Sequence, residues 1–125
     1  MSGTRAAQFA RYGAVGAIAT ATHYLLLVLA VEKFGWPAWA ASGAGAVLGA
    51  QVAYFGNLKL TFRTNAATRA SWVMFQLVAL AGALAGMAIV AIAVRLGLHY
   101  LLAQCLATAS VLVLGYSANR VWTFG

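Results

Sequence analysis

Acid is almost missing from this chain. Of its 125 residues one, Glu32, carries a carboxylate. Paired carboxylates for glycosidase-type acid/base work are thereby excluded, and so is an acidic cage for Mg²⁺ or Ca²⁺. Cysteine and proline also occur once each. Cys105 has no partner for an internal disulfide, and in its apolar surroundings it reads as a small buried hydrophobe. Charge of either sign is scarce: charged residues are 7% of the chain, where a soluble domain carries about 25%. So few charges cannot build a water-facing surface. No metal or cofactor motif is present, and no cofactor is expected.

Apolar residues make up 64% of the chain, and eight Lys and Arg against the single acid give a net charge of +7. A basic balance of this size can mark a nucleic-acid binder, but in so apolar a chain basic loops at a membrane surface explain it better, and no nucleic-acid partner is expected. Crossing a bilayer core of about 30 Å takes about 20 apolar helical residues. Four stretches qualify: Tyr12 to Val31, about Trp39 to Leu58, about Ser71 to Val94, and about Tyr100 to Ala118. Pro37 lies in the first break, where it can start a helix without losing a hydrogen bond. Ala38-Trp39-Ala40 has the look of a signal-peptide cleavage site, but the run before it is too long and another full span follows it at once.

The spans leave six basic residues on one side (Arg5, Arg11, Lys59, Arg63, Arg69, Arg120) and two on the other (Lys33, Arg95). By the positive-inside rule both termini and the middle loop are cytoplasmic. Trp72 and Trp122 then fall at the inner interface, Trp36 and Trp39 at the outer. The expected fold is therefore an all-α integral membrane protein: one domain over 1–125, four transmembrane helices, and a multi-pass location in a plasma membrane.

Shifted by 62 positions, the sequence matches itself. Tyr54, Asn57, Thr61 and Phe62 fall on Tyr116, Asn119, Thr123 and Phe124; Gly35 falls on Gly97 and Lys33 on Arg95. Repeat 1 covers about 5–64 and repeat 2 about 69–125. Two spans per half make the repeats parallel, related by an axis along the membrane normal. Small residues recur every fourth position at Ala41, Gly45, Gly49 and Ala53, at Gly82 and Gly86, and at Gly13, Ala17 and Ala21. Such stripes let helix backbones approach closely in lipid, either inside the bundle or between copies in a homo-oligomer.

The second copy of the repeated segment ends Asn119-Arg120-Val121-Trp122-Thr123-Phe124. It resembles the Asn-Arg-x-Trp-x-Phe ending of the GtrA-like family of small four-helix membrane proteins. Gln8-Phe9-Ala10-Arg11-Tyr12, Val15-Gly16, Thr20 and His23-Tyr24 are similar to that family's first-helix pattern. The chain is especially similar to the bactoprenol-linked glucose translocases of O-antigen-modifying phages, and the resemblance covers essentially the whole chain. Two places depart: Ala19 stands where a polar residue, commonly Asn, is often found, and the first copy has Leu58-Lys59-Leu60 in place of the Arg and Trp of the second. The resemblance implies flipping of a polyprenyl-phosphate-linked (undecaprenyl) monosaccharide across the bacterial inner membrane, for O-antigen or cell-wall glycosylation. Its alternative is a non-transporting anchor or assembly partner for a glycosyltransferase.

The residues can be weighed against such a ligand. Arg120, Lys59 and Arg11 lie at the inner ends of spans, where Arg offers bidentate phosphate binding and Lys a point charge; equally, they contact ordinary anionic headgroups of membrane lipids. Asn57 and Asn119 either donate to phosphate or sugar oxygens or cap their helices. Trp122 either stacks on a sugar or anchors the interface. His23 lies 11 residues past Tyr12, roughly 16 Å inward, and is the one in-span side-chain type that titrates near neutral pH. Gln51, Gln76 and Gln104 form either polar steps across the membrane or interhelix hydrogen bonds. At the outer end, Glu32 with Lys33, Arg95 and His99 reads as a salt bridge or a solvated cluster. A small multidrug exporter needs a carboxylate inside its first helix, and this span has none. Enzyme activity is not expected either, because no carboxylate is available to orient His23 as a base.

Overall fold

The computed structural model describes residues 2–61 and 69–123, with side chains over 6–59 and 72–114. Among the described residues the fold is wholly helical: α1 (Ser2–Phe34), α2 (Ala38–Gly56), α3 (Arg69–Arg95) and α4 (Tyr100–Thr123), with α2 running on into a π-helical turn at Asn57–Thr61. In sequence order each helix packs on the next, and α1 also packs on the π-helical turn. Short connections of this kind make successive helices antiparallel neighbours.

α1 starts ten residues before the Tyr12 expected from hydropathy. Its 33 residues are about 50 Å long, more than a bilayer core. Hydropathy marks the part that suits lipid; Ala6, Ala7 and Gln8 carry the helix beyond it because they are good helix formers. Among the described residues two helical segments are by themselves long and apolar enough to cross a membrane, Ala6–Phe34 and Trp72–Arg95. The 19-residue α2 is long enough, at about 28 Å, but its Gly, Ser and Gln lower its hydropathy. It belongs to the interior: Ala41, Ser42, Gly43, Gly45, Gly49 and Tyr54 are all buried.

The bundle is apolar outside and small-residue inside. Leu25, Val78, Leu96 and Leu112 are among the large apolar side chains left exposed, while Ala19, Ala30, Ala41, Ala83, Ala93, Ala103 and Ala107 are buried. Such a surface suits hydrocarbon, where close backbone packing holds helices together. Two clusters tie one end of the bundle: Val90, Ala93, Ala103 and Ala107 join α3 to α4, and Leu27, Ala30 and Ala41 join α1 to α2, with Tyr100 and Leu101 of α4 against them. Cys105, expected to be buried, is exposed; on an apolar exterior a small hydrophobe is equally at home.

The positions that align across the 62-residue shift have matching local geometry at this end. Gly35 (φ 69°) ends α1 and Gly97 (φ 101°) ends α3, both left-handed, where glycine is favoured. After α3 the Leu98 N–H bonds to the Ala93 carbonyl and the Gly97 N–H to that of Val94, which closes the helix with a Schellman motif. Lys33 and Arg95, in the last turns of α1 and α3, suit the negative end of each helix dipole. α2 then begins after Pro37, and His99 Nδ1 accepts the Leu101 N–H at the start of α4. Among the described residues Glu32 pairs with no cation; Tyr100 donates its hydroxyl to Glu32 Oε1 at 2.9 Å.

Candidate functional site: a basic end and an uncharged cavity

The N-terminal part of α1 meets the C-terminal end of α2, so three residues read from the sequence lie at one end of the bundle. A Cβ on Gly56 would come 2.8 Å from Val15 Cγ1, so α1 and α2 are in close contact here. Arg11 is one turn before Val15 and shares its face. Its Nε is buried without a hydrogen-bond partner among the described residues. Beside it α2 widens into the π-helical turn that contains Asn57 and Lys59. A wider turn of this type re-aims side chains and is frequent at functional sites. The Asn57 N–H bonds to the carbonyls of Ala53 and Tyr54, while Lys59 is exposed. The buried Tyr54 ring packs on Phe75 of α3, with ring centroids 5.0 Å apart. Asn119, Arg120 and Trp122 belong to α4 by backbone, but their side chains lie outside the described residues.

Between the four helices is a cavity of about 370 Å³. Ala, Gly and Val form most of its wall. Thr20 and His23 of α1, Ser42 of α2, and Gln104 and Thr108 of α4 supply its polar groups, and no charged side chain lines it among the described residues. It begins at Ala53, four residues or about 6 Å along α2 from Asn57. Thr20, Val78 and Leu112 line it and are also exposed to the exterior, so it opens sideways.

Glycine positions His23. A Cβ on Gly45 would lie 2.6 Å from both His23 Cδ2 and the His23 carbonyl oxygen, and one on Gly49 would lie 2.9 Å from the Ala19 carbonyl oxygen. The small-residue stripe of α2 thus brings α1 close and seats the imidazole beside the Ser42 backbone and the Gln104 amide. Opposite, the Tyr24 and Thr108 hydroxyls are 2.8 Å apart, and Gln104 donates Nε2 to Thr108 Oγ1 at 3.2 Å. His23 Nε2 and Gln104 Oε1 are buried without hydrogen-bond partners among the described residues.

The other glutamines are placed elsewhere. Gln51 Nε2 donates to Gln76 Oε1 at 2.6 Å, and Gln76 Nε2 returns a bond to Gln51 Oε1 at 3.1 Å. This reciprocal pair ties α2 to α3 and lies outside the cavity lining. The structure therefore groups Arg11, Asn57 and Lys59 at one end, sets His23 in the cavity, and leaves Gln51 apart from both. Sequence reasoning gave no role to Ser42 or Thr108. The signal at Thr108 was its spacing of one helical turn from Gln104; Ser42, inside a run of small residues, had none.

An exterior of large apolar side chains, an interior of small ones and an uncharged cavity define a helical membrane domain. The family model for the GtrA/DPMS transmembrane domain matches residues 11–124, and the chain belongs to that family. No curated protein and no solved structure matches it. Membership ties the chain to polyprenyl-phosphate-sugar-related work in a membrane.

Proposed function

We propose that the chain flips a polyprenyl-phosphate-linked monosaccharide across the bacterial inner membrane, for O-antigen or cell-wall glycosylation, without covalent chemistry. The observation that carries this reading is the adjacency of two sites: a cationic end, and a mainly apolar cavity with a few uncharged polar groups that starts one helical turn further in and opens sideways. Arg11 and Lys59 engage the phosphate. Arg120, with Asn119 and Trp122 beside it in sequence, is a further ligand on the strength of the family motif. The sugar follows the few polar groups of the cavity, and the polyprenyl tail stays in lipid through the lateral opening. In this reading four spans form two parallel repeats, with both termini cytoplasmic by the positive-inside rule. Reconstitution into liposomes with labelled lipid-linked glucose tests it. Protein-dependent exposure of the sugar in the opposite leaflet is expected, and its absence at verified incorporation removes the proposal.

A second reading, an assembly partner for a glycosyltransferase, is favoured by one feature. Gly13, Ala17 and Ala21 lie on the exposed face of α1, and a Cβ on Gly13 would meet nothing within 4 Å. That stripe suits another helix. Co-purification with a transferase, together with normal flipping in a deletion strain, distinguishes this reading from the first.

A further inference from the structure

We propose that the cavity seats the uncharged sugar ring of the lipid, recognised through its hydroxyls by Gln104 and His23, and that the phosphate is recognised elsewhere, at the basic end. This inference rests on the function proposed above and adds a division of labour within the headgroup.

Gln104 is 2% exposed, and its Nε2 is occupied by Thr108. Its Oε1 lies in the same cavity as His23; the two side chains are neighbours, but neither Gln104 Oε1 nor His23 Nε2 completes a hydrogen bond of good geometry among the described residues. Buried polar atoms of this kind are nearly always satisfied by something. An amide oxygen only accepts, whereas the imidazole nitrogen accepts or donates according to tautomer. The occupant must therefore bring a donor to Oε1 and a group of either kind to Nε2. A hydroxyl does both. A phosphate oxyanion does neither well: it has no proton for Oε1, and no Lys or Arg among the described residues of the wall offsets the cost of burying its charge. A hydrocarbon tail would leave both atoms unsatisfied.

Size and position agree. A volume of about 370 Å³ is near the lower limit of small-molecule sites, about 300 Å³, which favours a single ring over an oligosaccharide. Arg11 and His23 are twelve residues apart on α1, about 18 Å, so the basic end and the cavity are separate sites.

The test compares three probes on the purified full chain in detergent: farnesyl phosphate, its glucosyl phosphodiester, and free glucose. Wild-type protein is expected to bind the glucosyl lipid about tenfold more tightly than farnesyl phosphate, as for one buried hydrogen-bonding site satisfied. In Gln104→Leu that ratio should fall towards one. Gly86→Leu should do the same without changing a polar group, because Gly86 lines the cavity and a Cβ there meets nothing within 4 Å; it carries the test should Gln104→Leu fail to fold. A ratio near one in wild type, or one unchanged in both variants, overturns the inference, as when His23 and Gln104 merely satisfy each other; the proposed function then still stands if both lipids bind. Free glucose binding as tightly as the glucosyl lipid assigns the cavity to a soluble ligand and also overturns it. Binding of neither lipid removes the functional proposal itself.

Discussion

The same residue pattern does opposite work on the two sides of this bundle. Gly45 and Gly49 of α2 lie against the backbone of α1, where an added Cβ would come within 3 Å of carbonyl oxygens at His23 and Ala19. Gly82 and Gly86 of α3 have the same four-residue spacing. Yet a Cβ on Gly82 would reach Val111 Cγ1 only at 3.4 Å, and one on Gly86 would meet nothing within 4 Å. On one side small residues bring the helices together, Gly49 at the edge of the cavity; on the other they leave open the space that is the cavity. Small-xxx-small spacing therefore reports that backbones can approach, and the packing of neighbouring helices decides whether they do.

Substitutions should separate the two sides by sign as well as size. Gly45→Ala has the largest expected effect. Its methyl meets the His23 carbonyl, which cannot swing away, so about 2–3 kcal/mol should be lost in reversible unfolding in detergent; an unchanged stability would mean that the seam is looser than described. Gln51→Leu should cost about 1–2 kcal/mol, because it strands the Gln76 amide, and Gln51→Leu with Gln76→Leu should recover most of that loss. A double variant no better than the single one would show that the pair does not act as a unit. On the cavity side, Tyr24→Phe removes the hydroxyl that meets Thr108 and should cost about 1 kcal/mol by the same measurement. Gly86→Ala is the smallest change and has the opposite sign: a helical glycine with open space beside it should gain about 0.5–1 kcal/mol as alanine. Destabilisation there would show that the cavity wall is closed in solution.

Much of this organisation could be read along the chain. The ends of the first and third helices were legible from the breaks in the apolar runs; Gly35 and Gly97, which align in the repeat, close them in the left-handed conformation that favours glycine. Arg11, Asn57 and Lys59 were legible as candidates because helices joined by short breaks must alternate direction, which brings those positions to one end. The true start of α1 was not legible, since hydropathy measures suitability for lipid and helix propensity does not stop at that boundary. The glutamines divided in a way no periodicity announced. Gln51 and Gln76 found each other across α2 and α3, while Gln104 was left facing the cavity.

Composition and pattern alone determined that the chain belongs in a membrane and that it is helical, because transfer from water to hydrocarbon depends on local residue identity. Only the tertiary structure decided which glycines close a seam and which leave a void, and which polar atoms remain unpaired. Those outcomes depend on distances between helices, set jointly by side chains far apart in sequence, so no single segment encodes them.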